Sequence, residues 1–334
     1  MRDTAMDCRE CISCSSGGHI LLRPFIFSRT SFHRPISRFS TRILSAGLYF
    51  LLSCMSTAQA EPLHVTVVLS EEGGVYQEFS NLLRVKMPVP KFALNTVSVN
   101  QALVASDLYI AVGMKAAEEL ASREIPVLSV LVPKTAYDKL PHGPVQHTLP
   151  RSAIFLDQPV ERQVAFLLAA LPSTRNVGIL YSTPPQELPN IRRLLADRDV
   201  RLHDRSIGGA QSLNDALESV LGESEVLFVL ADAGVYNAVT IRNILLTSYR
   251  KQIPLIGISQ AYVKAGALCA VFSTPDQIAA QAAEAAGQFS ETGKLPTSQY
   301  PKEFEVSVNK QVARSLDIRI EDAVRLRDEV RRNP

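Results

Sequence analysis

Past residue 60 the chain has a single cysteine, Cys269, so that part can form no disulfide within itself. Cys269 sits in the apolar run Ala267-Leu-Cys-Ala-Val-Phe272, the setting of a packed structural thiol and not of a nucleophile. A basic excess is missing too. Once the seven arginines and three acids of residues 1–60 are set aside, 28 basic and 30 acidic residues remain. Nucleic-acid binders carry a basic stripe or surplus, and that class is excluded. Ser70-Glu-Glu-Gly-Gly74 is glycine-rich but lacks the Gly-Lys-Ser/Thr ending of a P-loop and the spacing of a dinucleotide fingerprint. There is no Gly-x-Ser-x-Gly elbow and no His-Glu-x-x-His pair, and neither His64 nor His203 has an evident acid–base partner. These absences argue against an enzyme, and no cofactor or metal is expected. Cys8, Cys11 and Cys14 lack a fourth ligand, and His142 and His147 lack an acidic or thiol neighbour.

No apolar run is long enough to span a bilayer. The one at residues 43–54 follows Arg38 and Arg42 and precedes Ala58-Gln-Ala60, the build of a secretory signal cleaved after Ala60. Leu51-Leu-Ser-Cys54 offers an alternative, a lipoprotein anchored at Cys54. The segment before Arg38 is foreign to a signal peptide, and a translation start further downstream would remove it.

The 334 residues, 46% hydrophobic and 20% charged, suffice for two ordinary domains. From Leu63 on, short apolar runs alternate with longer amphipathic ones. Strands are predicted at 63–69, 93–97, 107–112, 126–132, 176–181, 201–206, 226–230, 254–259, 267–273 and 304–308. Helices are predicted at 75–85, 114–122, 135–140, 160–170, 188–197, 213–221, 236–250, 275–291 and 310–316. Strands without polar alternation and with helices between them indicate parallel sheets covered on both faces. The series restarts after a proline-rich stretch at 141–150, so the fold class is α/β with two Rossmann-like lobes.

Ligands of open α/β sheets bind beyond the carboxyl ends of the strands. That rule selects Ser70, Glu71 and Tyr76 after the first strand and Gly113, Met114 and Lys115 after the third. In the second half it selects Tyr181 and Ser182, Asp232 and Tyr236, and Ser259 and Gln260. Helix starts at these loops can hold an anion on free N–H groups. Asp232 ends a five-residue apolar strand and can serve either as a partner for a ligand amine or hydroxyl or as a helix cap.

Val226–Gly234, Pro254–Phe272 and Phe304–Ile318 resemble the ABC-transporter substrate-binding family related to tryptophan- and tyrosine-type binding proteins. The residues that carry the likeness are Ala231-Asp232, Lys251-Gln-Ile-Pro254, Gly266-Ala267, Asp276 through Gly287, and Val308-Asn309 with Ala313 and Leu316-Asp-Ile318. Asp157-Gln-Pro159 and Gly178-Ile-Leu180 are also similar. The resemblance implies type I periplasmic-binding-protein architecture, with chain crossings near 145–155, 265 and 300. It divides the chain into 61–150 plus about 265–298 and 151–264 plus about 299–334. It further implies a monomer that takes a small, amino-acid-like solute and delivers it to a membrane ABC permease by hinge closure. By position it puts Asp232 on the cleft, and Gly113-Met-Lys115 where a hydroxyl-bearing loop is usual. A sensor subunit for a membrane kinase or receptor, or an orphan member with a degenerate cleft, predicts the same fold.

Overall fold

The computed structural model describes residues 61–141, 149–208 and 212–332. The signal segment, Cys54, the early cysteines, His142 and His147 lie outside the described residues.

The first lobe runs β1 (Leu63–Leu69), α1 (Gly74–Lys86), β2 (Phe92–Ser98), β3 (Leu108–Val112), α2 (Met114–Ala121), β4 (Val127–Val132), α3 (Lys134–Tyr137) and β5 (Arg151–Phe155). Its five strands are parallel in the order β2-β1-β3-β4-β5. Every residue of β3 and β4 is buried, which explains their unbroken apolar character. No helix separates β2 from β3, as the short gap there predicts.

The second lobe begins with α4 (Val160–Ala170), β6 (Asn176–Tyr181), α5 (Leu188–Ala196), β7 (Arg201–Ser206) and α6 (Leu213–Glu223). It continues through β8 (Val226–Phe228), α7 (Ile241–Arg250), β9 (Leu255–Gly257), α8 (Gln260–Ala265) and β10 (Cys269–Phe272). α9 (Pro275–Thr292) follows, then β11 (Glu305–Val308), α10 (Lys310–Ser315) and α11 (Ala323–Arg332). The second sheet has the order β11-β10-β9-β8-β6-β7, parallel except for β11.

Both sheets reverse strand order once, between β1 and β3 and between β6 and β8. Apolar clusters cover each sheet on both faces: α1 with α9 and α2 on the first, α4 with α11 and α6 with α7 on the second.

Three of the expected assignments need correction. Arg151–Phe155 is an edge strand of the first sheet, paired with β4, and not part of the second lobe. The stretch 265–298 is divided. Leu268, Cys269 and Val271 pack into the second core, and only α9 returns, placing Ile278, Ala282 and Phe289 against the first sheet. The helix expected from residue 236 starts at Ile241, because the hydrogen-bonded turns at Asp232–Thr240 do not continue as a helix. Cys269 is a buried free thiol whose pKa burial pushes well above the ordinary range, in keeping with a packing role.

The chain passes between the lobes three times: after Phe155, after Phe272, and from Gln299 to Phe304. Side chains bind these passages to one another. The Gln158 amide donates to Ser273 Oγ (2.9 Å) and accepts from Arg162 (2.7 Å), which also donates to the Pro301 carbonyl (2.9 Å). Among the described residues no helix is long and apolar enough to cross a membrane.

Candidate functional site

A cavity of about 440 Å³ opens between the two lobes. That is within the ~300–1,000 Å³ of small-molecule pockets. The first lobe contributes Met114 and the α3 loop from Pro133 to Lys139. The crossings contribute Asp157, Gln158 and Tyr300. The second lobe contributes Val160 and Gln163, the loop Tyr181–Glu187, Ile191, and the turn Leu230–Gly234.

In the second lobe the cavity lies at the point of strand reversal, where the loops after β6 and β8 part. Asp232 and Ser182 join those loops. The Asp232 carboxylate accepts from Ser182 N (2.6 Å), Ser182 Oγ (2.8 Å to each oxygen) and Gly234 N (2.9 Å). Tyr181 is a buried wall. Its hydroxyl donates to Asp204 (2.6 Å), away from any ligand, and burial together with the Asp204 carboxylate pushes its pKa up to about 12.

In the first lobe the reversal point between β1 and β3 is filled by its own side chains. Ser70 Oγ accepts from Ala116 N (2.9 Å), and Lys115 pairs with Glu71 (2.6 Å). The Tyr76 ring packs where a side chain on Gly113 would have to be. Gly113 has φ +84°, and a Cβ there would come within 2.8 Å of Ser70 Oγ and of the Tyr76 ring. Gly113→Ala is therefore expected to destabilise the fold by about 2–3 kcal/mol, from backbone strain plus overlap. An unchanged thermal midpoint would refute the crowding.

With this crevice filled, the first lobe meets the cavity one strand further along, through the loop after β4. Lys134 Nζ pairs with Asp138 (2.7 Å) and, across the gap between lobes, with Glu187 (3.1 Å). Burial opposes its charge, but the hydrogen bonds to the two carboxylates hold the ammonium above its usual pKa. The backbone N–H of Lys134 donates to Asp157 (2.5 Å). Burial raises the Asp157 carboxyl to about 6, against the pull of that hydrogen bond and with a further push from Glu187. Tyr300 stacks edge-on against Phe155 (5.3 Å, 65°), and its hydroxyl is pushed up to about 12 by burial and by the Glu187 carboxylate.

Of the twelve residues selected from the sequence, Met114, Tyr181, Ser182 and Asp232 line the cavity. Ser70, Glu71, Tyr76, Gly113 and Lys115 form the filled crevice of the first lobe. Tyr236 is enclosed in the core between α6 and α7. Ser259 caps α8 by accepting from Tyr262 N, and Gln260 is exposed. The residues that sequence reasoning did not select are Lys134, Asp138, Asp157, Gln163, Glu187 and Tyr300. The carboxyl-end rule applied to β4 would have found the loop at Lys134, and Asp157-Gln-Pro159 was visible only as part of a family likeness. No group of three or more metal-ligating side chains occurs among the described residues.

A model of the ABC transporter substrate binding protein family matches residues 155–330, more than half of the chain. The chain belongs to that family. Solved structures agree on the fold. A conserved domain protein from Vibrio cholerae O1 biovar El Tor superposes with a TM-score of 0.59 at 20% identity, covering 80% of this chain and 98% of its own. An ABC domain in complex with L-Trp from Streptococcus pneumonia gives 0.58 at 15% identity, with the same coverage. The ligand-free, open substrate binding protein CD0873 from Clostridium difficile, which has adhesive properties, gives 0.56 at 14%, covering 78% of this chain and 96% of its own. Comparison with curated protein sequences gives no match. This ABC transporter substrate binding protein therefore has the type I periplasmic binding architecture and is a ligand-binding member of a solute-binding family.

Proposed function

We propose that the protein captures a small amino-acid-like solute outside the cytoplasm, closes on it as a monomer, and passes it unchanged to a membrane ABC permease. The observation that carries this reading is the cavity itself. It lies between the lobe built on β1–β5 and the lobe built on β6–β11. Apolar walls from Met114, Val160, Ile191, Leu230 and three prolines surround a few converging charged groups. That mixture suits a compact zwitterion with an apolar side chain. The L-Trp held by the pneumococcal relative is of this chemical kind.

A thermal-shift screen of the purified protein against amino acids, purines, small organic acids and sugars tests the proposal. A specific ligand at 100 times its Kd adds about 2.7 kcal/mol, a rise of several degrees in Tm. Amino acids are expected to give the shift. A folded protein that no compound stabilises would favour a scaffold whose cleft has lost its ligand.

A further inference from the structure

Six charged side chains line the cavity: the carboxylates of Asp138, Asp157, Glu187 and Asp232, and the ammonium groups of Lys134 and Lys139. Their commitments differ. Asp138 and Glu187 share Lys134. Asp232 is engaged at both oxygens by Ser182 and Gly234 of its own lobe, so a ligand could take it only by competing with that loop junction.

Asp157 is different. It forms no ion pair among the described residues, and its hydrogen bonds come from main-chain N–H groups, those of Lys134 and of its own backbone. It also borders the narrow recess behind the cavity, beside Gln163, Phe228 and Ala231. A desolvated carboxylate that has no cation beside it is costly to an empty site and is relieved by an incoming one.

We infer that Asp157 is the specificity residue of the cavity, receiving a protonated amine of the ligand. The inference rests on the solute-binding reading and narrows it to amine-bearing ligands. It also moves the charge-recognising role from Asp232 to the first crossing between the lobes. An ammonium placed there sits on the carboxylate that the main-chain N–H of Lys134 in the first lobe already holds, so binding the amine and joining the lobes act through one group.

Two matched probe series test this by titration calorimetry: tryptamine, L-tryptophan and indole-3-propionate, and 1,5-diaminopentane, L-lysine and glutarate. The expected result is that an amine-bearing probe binds and its acid-only counterpart binds at least tenfold more weakly. Asp157→Asn is expected to weaken the amine probe tenfold or more in a protein that still unfolds cooperatively. Equal binding of the acid-only probe, or unchanged amine affinity in Asp157→Asn, overturns the inference and leaves solute binding standing. So does a protein that takes neither series but is stabilised by a neutral sugar in the wider screen. A protein that binds nothing removes both readings together.

Discussion

Asp157→Asn is expected to make the ligand-free protein more stable, not less, by up to about 3 kcal/mol at pH 8. Burial holds the native Asp157 carboxyl at about 6 against an ordinary value of 3.8, and each unit of such a shift is worth ~1.4 kcal/mol. The sign follows from linkage. Above pH 6 the native state must keep a charge that the unfolded chain keeps more easily, so the wild type bears the full penalty. Between pH 6 and about 4 the native carboxyl protonates first and the penalty shrinks. Below that both states are protonated and the advantage of asparagine is gone. Asparagine retains a carbonyl oxygen to accept the Lys134 N–H, so the loop hydrogen bond is preserved. Thermal midpoints of the two proteins measured from pH 4 to 8 should converge at the acid end and separate by several degrees at the alkaline end. A variant that is no more stable than wild type at pH 8 contradicts the account. A residue whose removal strengthens the fold while it weakens ligand binding is the expected signature of a site built at the expense of stability.

Asp232→Ala should act in the opposite direction, costing about 2–4 kcal/mol. Its carboxylate is the shared acceptor for two main-chain N–H groups and a hydroxyl from two different loops. Hydrogen bonds to charged groups contribute about 1.5–3 kcal/mol each, and partial exposure of this turn reduces that figure. Truncation leaves the Ser182 and Gly234 N–H groups without their acceptor and frees the loop Tyr181–Glu187, which carries the second-lobe end of the Lys134–Glu187 pair. Urea unfolding should show the loss. Asp232→Asn, which keeps one acceptor oxygen, should fall between. If alanine is tolerated without cost, the junction is not what holds this edge of the cavity.

The strands that the sequence reveals best are those buried on both faces. Leu63–Leu69 and Asn176–Tyr181 are found with their expected bounds. Arg151–Phe155 was missed because it is a short edge strand that follows a proline-rich stretch. α11 was missed because only Leu326 and Val330 of its ten residues are buried, and the arginines and acids between them hide the helical period. At the site, the strand-reversal rule selected Tyr181, Ser182 and Asp232, which line the cavity, together with Tyr236, Ser259 and Gln260, which do not. In the first lobe it brought only Met114 to the cavity, because Ser70 and Tyr76 pack against Gly113 and Lys115 pairs with Glu71 at the surface. Which loop then takes over depends on packing between distant segments, which spacing along the chain does not record.

The return of α9 to the first sheet has a consequence for biosynthesis. One face of that sheet, including Val65, Leu108 and Leu128, is covered by a helix encoded some 120 residues after its last strand. At roughly 5–20 residues per second, a ribosome needs on the order of ten seconds to make the intervening stretch. Throughout that interval the nascent first lobe displays an apolar face that α1 covers only in part. A chaperone that holds the chain during synthesis would find its client surface there, and a gene truncated between the lobes would leave that face half covered.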